Sequence, residues 1–122
     1  MGTPSRILFA DDEEAIRSHL GSELTSEGYF VSLAKDGEAA LALLRKERYD
    51  LAILDIVMPK MGGMEVLKII KREYPWMKVL MLTAFTNLQH ALESKKFGAE
   101  DFMGKPFDLE ELKQAVRRLI GP

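Results

Sequence analysis

The chain has no cysteine in its 122 residues, which excludes a disulfide-stapled scaffold and thiolate metal sites. An excess of basic residues is also missing, because 17 Lys and Arg stand against 19 Asp and Glu and give a net charge of -2. The basic surface typical of a nucleic-acid-binding domain is therefore not expected. Long apolar runs are absent too, since stretches such as "VLMLTAF" fall far short of the roughly 20 residues that cross a bilayer.

Internal repeats, low-complexity segments and Pro/Ser linkers are lacking as well. The start, "MGTPSRILFADDEE", becomes acidic too soon for a signal peptide. With 47% hydrophobic residues the chain can bury an ordinary core, so residues 1–122 are expected to form one domain. A soluble protein of the cytoplasm is the expectation.

Short apolar runs alternate with helical patterns along the chain. The five strand candidates are residues 6–10, 29–34, 51–55, 78–84 and 101–105. Between and after them, apolar residues recur at spacings of three and four, which is typical of amphipathic helices. The last helix has Asp108 and Glu111 at capping-box spacing, and the weakest pattern is 87–97, with only Leu88, Ala91 and Leu92 as an apolar face.

This alternation predicts an α/β fold, a doubly wound (βα)5 three-layer sandwich with a five-stranded parallel sheet. Parallel neighbours need crossover connections, and helices then cover both faces of the sheet. The runs "ILFA", "LAIL" and "VLML" are continuously apolar, as expected of strands buried on both faces. In such folds ligands bind beyond the carboxyl ends of the strands.

Polar residues stand at four of these predicted strand ends. They are Asp11, Asp12, Asp55, Thr83 and Lys105. Three carboxylates that lie close together raise one another's pKa unless a cation joins them. Oxygen ligands favour Mg²⁺, which keeps several waters and leaves room for a phosphate oxygen. The sequence therefore predicts a metal site that receives a phosphoryl group.

Asp55 ends the run "LAILD", just before "IVMPKMGG" breaks the strand. A buried carboxylate is costly to keep charged, so this position needs a partner or an opening. We interpret Asp55 as a nucleophile whose carboxylate oxygen attacks phosphorus and forms an acyl phosphate. Lys105 and the metal would neutralise charge on the phosphoryl oxygens, and Thr83 would donate a hydrogen bond to one of them.

The motifs "ILFADDEE", "DIVMPKMGG", "LTAF" and "DFMGKPF" together resemble the receiver domains of two-component response regulators, over essentially the whole chain. The resemblance implies a flavodoxin-like sheet of strand order 2-1-3-4-5. It implies Asp55 as the phosphoacceptor, and Asp12, Asp55 and the Val57 backbone carbonyl as direct ligands of Mg²⁺ or Mn²⁺. Asp11 would act mainly through metal-bound water, and Thr83 and Lys105 would bind phosphoryl oxygens.

The resemblance also implies a switch. Thr83 would move toward the phosphoryl group, Phe102 would turn inward, and a cis peptide would precede Pro106. Helix 4, strand 5 and helix 5 would form the output surface. Val57 and Phe85, both apolar, predict slow self-dephosphorylation.

The implied partners are a sensor histidine kinase or phosphotransfer protein and a downstream output domain or protein. A homodimer formed on phosphorylation is a further possibility, whereas direct contact with nucleic acid or membrane is not expected. The domain is interpreted as a phosphoacceptor that assists its own phosphorylation and dephosphorylation, rather than as an enzyme acting on other substrates.

Simpler roles exist for each residue taken alone. Asp11 and Asp12 precede a helix and would suit its N-cap, and Thr83 and Lys105 would be ordinary strand and surface residues. His19 and His90 are interpreted as surface residues, and Met58, Met61 and Met64 as loop packing.

Three alternative functions remain open. The first is a flavodoxin-type cofactor binder, although "DDEE" offers negative charge where a phosphate needs donors. The second is a phosphatase or phosphotransferase with an aspartyl nucleophile, although that nucleophile is expected on the first strand. The third is a receiver-like interaction module that is never phosphorylated.

Overall fold

The computed structural model describes residues 4–84 and 88–121, with the side chain of Leu88 left out. The strands are β1 (Arg6–Ala10), β2 (Phe30–Ala34), β3 (Leu51–Asp55), β4 (Lys78–Ala84) and β5 (Asp101–Lys105). The helices are α1 (Glu14–Ser26), α2 (Gly37–Lys46), α3 (Gly63–Glu73), α4 (Leu88–Lys96) and α5 (Leu109–Ile120). Strand and helix therefore alternate in the described chain, as the sequence predicts.

The strands form one parallel sheet in the order β2-β1-β3-β4-β5. The predicted fold class is confirmed in both strand order and direction. Since every strand runs the same way, all five carboxyl ends meet at one edge of the sheet. We call this edge, with the loops that follow it, the carboxyl edge, and the opposite one the amino edge.

Central strands bury side chains on both faces of the sheet. In β1, Leu8 packs with residues of α2 and α3, whereas Phe9 packs with residues of α1 and α5. In β3, Leu54 and Ile53 divide between the same two clusters. Successive side chains of a strand point to opposite faces, so a strand covered twice must be apolar throughout. This explains the unbroken apolar runs and gives three layers.

Helix α5 shows the expected cap and stripe. The Asp108 side chain accepts hydrogen bonds from the backbone N–H groups of Glu110 and Glu111. Leu112, Ala115 and Val116 are buried on its inner face. Local pattern and packing therefore agree at this end of the chain.

Two expectations about the elements are wrong. Tyr29 lies outside β2, although it is buried, and its hydroxyl donates to the carbonyl oxygen of Gly121 at 2.8 Å. In α4, Ala91 is buried as predicted, but Leu92 is 58% exposed, and Ser94 completes the buried face in its place. The Ser94 hydroxyl donates a hydrogen bond to the Ala91 carbonyl oxygen at 2.7 Å, and a search for apolar periodicity does not find a buried serine.

Of the remaining expectations outside the site, some are confirmed and one is wrong. His19 is exposed, but His90 is partly buried, so the surface interpretation fails for the second histidine. Met58 is buried, and Met61 and Met64 pack against the core, as predicted for loop packing. Within residues 4–84 and 88–121, the helices are all too short or too polar to cross a bilayer.

Candidate functional site

The candidate site lies at the carboxyl edge, where β1, β3, β4 and β5 end. Asp11 directly follows β1, Asp55 is the last residue of β3, and Lys105 is the last residue of β5. Thr83 lies beside Gly104 in the register of β4 with β5, one position before the end of β4. The structure thus brings the five predicted polar residues to one edge, because parallel register aligns the strand ends.

Three carboxylates form the centre of this edge. Asp11, Asp12 and Asp55 each offer an oxygen atom within 4.8 Å of the others. Asp11 and Asp55 are buried and Asp12 is exposed, so the group is reached from one side. Oxygen donors of this kind and spacing suit Mg²⁺, with room for water on the exposed side. The residues present therefore fit the ion.

Lys105 is the cation of the site. Its Nζ atom lies 2.8 Å from Asp11 Oδ2, 3.1 Å from Asp55 Oδ2 and 3.3 Å from Glu13 Oε1. Its side chain is only 16% exposed. One ammonium is thus shared by three carboxylates, and the site keeps a net negative charge.

The environment shifts the pKa of both Asp55 and Lys105. Burial raises the pKa of Asp55 to about 6, with the charge of Asp11 adding to this effect and Lys105 opposing it. Burial alone would lower the pKa of Lys105, but hydrogen bonds to Asp11 and Asp55 outweigh that effect and raise it. Lys105 therefore stays charged, whereas Asp55 is costly to ionise until a cation joins it.

The loop after β1 is shaped by Asp11. Its Oδ1 atom accepts a hydrogen bond from the Glu13 backbone N–H at 2.9 Å, and its carbonyl oxygen accepts one from Arg17 at 2.8 Å. The N-cap of α1 is Glu13. The simpler interpretation of Asp11 and Asp12 as N-cap residues is therefore wrong, and the Asp12 side chain lines the cleft while Asp11 lies buried beneath it.

The loop after β3 is fixed by close backbone contacts. A Cβ atom on Gly63 would clash with the carbonyl oxygen of Asp55, and one on Gly37 would clash with that of Met61. Only glycine permits such approaches. The first turns of α3 and α2 thus hold this loop in place from two sides.

Val57 lies in this loop with its side chain 66% exposed, and its N–H donates to Asp55 Oδ1 at 3.3 Å. The role of its carbonyl as a metal ligand stays a prediction. Phe85, the second residue of the lifetime hypothesis, lies outside the described residues.

The other predicted residues occupy distinct positions. Thr83 is buried, and Phe102 is half-buried against the core on the α2 and α3 side. The peptide bond between Lys105 and Pro106 is cis, and Pro106 lines the cleft beside Lys105.

Glu13 is the residue that sequence reasoning missed. It lines the same cleft as Asp12, Asp55 and Lys105, and it contacts the lysine. The only signal in the sequence was its place directly after the two aspartates, which equally suits the acidic start of a helix.

A family model for the response regulator receiver domain matches residues 7–117. The chain belongs to this family. The receiver is 38% identical to the response regulator MprA of Mycolicibacterium vanbaalenii over 117 residues, which cover 96% of this chain and 51% of the relative. It therefore spans about half the length of the curated relatives that it matches.

Solved structures agree with this assignment. The response regulator TrrA of Thermotoga maritima, determined in complex with Mg(2+)-BeF, is 40% identical with a TM-score of 0.85, covering 95% of this chain and 99% of that one. The chemotaxis response regulator CheY4 of Vibrio cholerae is 36% identical with a TM-score of 0.90, covering 97% and 100%. The predicted family and fold are confirmed.

Proposed function

We propose that this receiver accepts a phosphoryl group on Asp55, with Mg²⁺ bound by the acidic cluster, and thereby switches a signalling surface. The observation that carries the proposal is the position of the Asp55 carboxylate. It lies within 4.8 Å of the Asp11 and Asp12 carboxylates, 3.1 Å from Lys105, in a cleft that opens to solvent. This combination serves phosphoryl transfer better than it serves stability.

The donor is a phosphohistidine of a histidine kinase or phosphotransfer protein. An Asp55 carboxylate oxygen attacks phosphorus, the phosphorus–nitrogen bond breaks, and the imidazole of the donor keeps the bonding pair and takes up a proton. The product is an acyl phosphate on Asp55 and a neutral histidine on the donor.

The residues around Asp55 support this step by charge and by hydrogen bonding. Lys105 moves from its carboxylate partners to a phosphoryl oxygen, and Thr83 donates its hydroxyl proton to another. Asp12, Asp55 and the Val57 carbonyl would hold the metal directly, and Asp11 would act through water. The ion, when bound, supplies positive charge that lowers the cost of bringing an anionic group to three carboxylates.

The positions of Thr83 and Phe102 support the proposed switch. Both lie on adjacent strands, β4 and β5, and Phe102 is partly buried, so a shift of Thr83 toward the phosphoryl group lets the ring pack further inward. The surface of α4, β5 and α5 changes as a result. Phe102 has no hydroxyl, so the signal depends on packing alone.

Partners and context follow from the family. Residues 1–122 act as one receiver domain that a cytoplasmic kinase or phosphotransfer protein phosphorylates, and that controls an output domain or protein. The curated relatives are named response regulators or transcriptional regulators of about twice this length. Pairing of two phosphorylated receivers is part of the same proposal.

The test is intact mass after incubation with acetyl phosphate and Mg²⁺. Asp55→Asn and a metal-free sample serve as negative controls, and Asp50→Asn serves as a matched control at the amino edge. We expect one added phosphoryl group that needs both Asp55 and the metal, and that Asp50→Asn retains. No gain in a folded parent, from acetyl phosphate or from a phosphohistidine donor, would instead favour an interaction module that is never phosphorylated.

A phosphatase acting on external substrates is the rival that shares this chemistry. Sustained turnover of an added phosphoester, beyond one equivalent per chain, would favour it. We expect a single equivalent to accumulate and then decay.

Hydrolysis of the phosphoryl group is expected to be slow, because the apolar side chains of Val57 and Phe85 cannot hydrogen-bond to an attacking water. The double variant Val57→Asn, Phe85→Glu should lose its phosphoryl group several-fold faster than the parent. Equal half-lives, followed by intact mass, would show that these positions do not control hydrolysis.

A further inference from the structure

Glu13 reaches into the cleft from the start of α1. Its Oε1 atom lies 3.3 Å from Lys105 Nζ, yet 61% of its side chain is exposed. Its backbone is fixed independently, because Asp11 Oδ1 accepts a hydrogen bond from its N–H. As the N-cap residue it makes no side-chain cap bond, so the fold does not depend on its carboxylate. The carboxylate is therefore free to act on the cleft.

Glu13 is one of the two carboxylates that accept a hydrogen bond from Lys105. The Nζ atom donates to Glu13 Oε1 at 3.3 Å and to Asp55 Oδ2 at 3.1 Å, and it forms an ion pair with Asp11 Oδ2 at 2.8 Å. A phosphoryl oxygen can gain Lys105 only by displacing one of these partners. Glu13 is the most exposed of the three, so it is the partner most easily exchanged.

The charge of Glu13 also faces the approach to Asp55. Glu13, Asp12 and Asp55 line one open cleft, with Lys105 as the cation among them. An incoming phosphodonor carries negative charge and is repelled by an exposed carboxylate at the mouth. A donor protein can offset that repulsion with contacts outside the cleft, whereas a small anion cannot.

We propose that Glu13 is a further specificity-determining residue of the phosphoryl-transfer site, which holds Lys105 before transfer and disfavours small anionic phosphodonors. This inference rests on the proposed function and deepens it. Glu13 acts through charge and through the lysine, and it is not a direct ligand of the metal.

The experiment compares Glu13→Gln with Glu14→Gln. Glu14 is the next residue, equally acidic and exposed, and it begins α1, so it controls for loss of one charge near the helix start. Phosphorylation rates are measured by intact mass with acetyl phosphate, a dianion near neutral pH, and with phosphoramidate, which carries less charge. Mg²⁺ affinity is measured by calorimetry on the same proteins without donor.

We expect Glu13→Gln to accept acetyl phosphate about three- to tenfold faster than the parent, with a smaller gain from phosphoramidate. The gain should shrink at high salt, because an exposed charge is screened. Mg²⁺ affinity should fall by a small factor of about two to five, as expected from loss of one nearby charge. Glu14→Gln should stay close to the parent in every measurement.

Two results would overturn the inference. Equal rates for Glu13→Gln and Glu14→Gln would remove any special role of Glu13 in donor choice. Loss of measurable Mg²⁺ binding in Glu13→Gln would make Glu13 a metal ligand instead. Both results differ from failure of the proposed function, in which the parent itself takes up no phosphoryl group.

Discussion

The two edges of the sheet treat their charged groups in opposite ways. At the carboxyl edge, Asp11, Asp12 and Asp55 cluster together, and Lys105 Nζ lies 2.8 Å from Asp11 Oδ2 and 3.1 Å from Asp55 Oδ2. At the amino edge, Lys71 Nζ lies 3.0 Å from Glu100 and 2.9 Å from the Met77 carbonyl oxygen. Charge is in excess at the first edge and matched at the second.

The Glu100 carboxylate illustrates how charge is paired at the amino edge. Its Oε1 atom also accepts the Val79 backbone N–H at 2.7 Å, so the carboxylate joins α3 to the first residues of β4. Asp50, directly before β3, likewise accepts a backbone hydrogen bond: its Oδ2 atom accepts the N–H of Arg6, the first residue of β1, at 2.8 Å. Polar groups at the amino edge therefore stabilise the fold, whereas the carboxylates of the carboxyl edge are held close together against their own repulsion.

The largest effect is expected from a substitution that disturbs the backbone packing beneath the carboxyl edge. Gly63→Ala should lower the free energy of unfolding by about 3 kcal/mol, because the new Cβ meets the rigid carbonyl of Asp55. The same change displaces Asp55 and should slow phosphorylation. Urea unfolding and intact-mass kinetics measure the two effects.

Gly21→Ala is the matched control for that variant. Its Cβ would meet only the side chain of Leu33, which can move, and alanine favours the middle of α1. A loss of stability in Gly21→Ala as large as in Gly63→Ala would contradict the argument from the Asp55 carbonyl.

An intermediate effect tests the amino edge. Glu100→Ala should lower the free energy of unfolding by about 2 kcal/mol, because it leaves Lys71 and the Val79 N–H without their partner. Glu93→Ala, an exposed acid of α4, should change it little. A double variant with Lys71→Met should lose less than the sum of the single variants, and strict additivity would show that the pair is not coupled.

The smallest effect concerns pH at the carboxyl edge. Since folding raises the pKa of Asp55 from 3.8 to about 6, the folded state binds the proton more tightly than the unfolded state. Metal-free protein should therefore lose about 1–2 kcal/mol of stability as the pH rises from about 4 to about 6. Asp55→Asn should lack this part of the pH dependence in urea titrations with chelator, and identical slopes in both proteins would contradict the cost of ionising the buried Asp55 carboxyl.

Much of the fold could be predicted because strong apolar runs coincide with the central strands. The predicted bounds of β1, β3, β4 and β5 match the structure, because β1, β3 and β4 have unbroken apolar interiors and β5, a half-buried edge strand, stops at Lys105 before Pro106. The weaker signals failed where burial involves small or polar side chains. In α4 the polar Ser94 is buried and the apolar Leu92 is exposed, and the spacing of hydrophobic residues predicts the opposite.

The candidate site was likewise predictable from the sequence only in part. Parallel strands require Asp11, Asp55 and Lys105 to share an edge, so their proximity follows from the order of strands and helices along the chain. The contact of Glu13 with Lys105 does not follow from that order, because it depends on how far one flexible side chain extends from the first turn of α1 across to β5.

The most direct measurement of the central claim locates the phosphoryl group chemically. Phosphorylated protein is treated with borohydride, which reduces an acyl phosphate to an alcohol, and the modified residue is found by peptide mass spectrometry. The account predicts reduction at Asp55 alone, dependent on Mg²⁺ during phosphorylation. Reduction at Asp11 or Asp12, or a stable phosphoryl group that borohydride leaves intact, would contradict it.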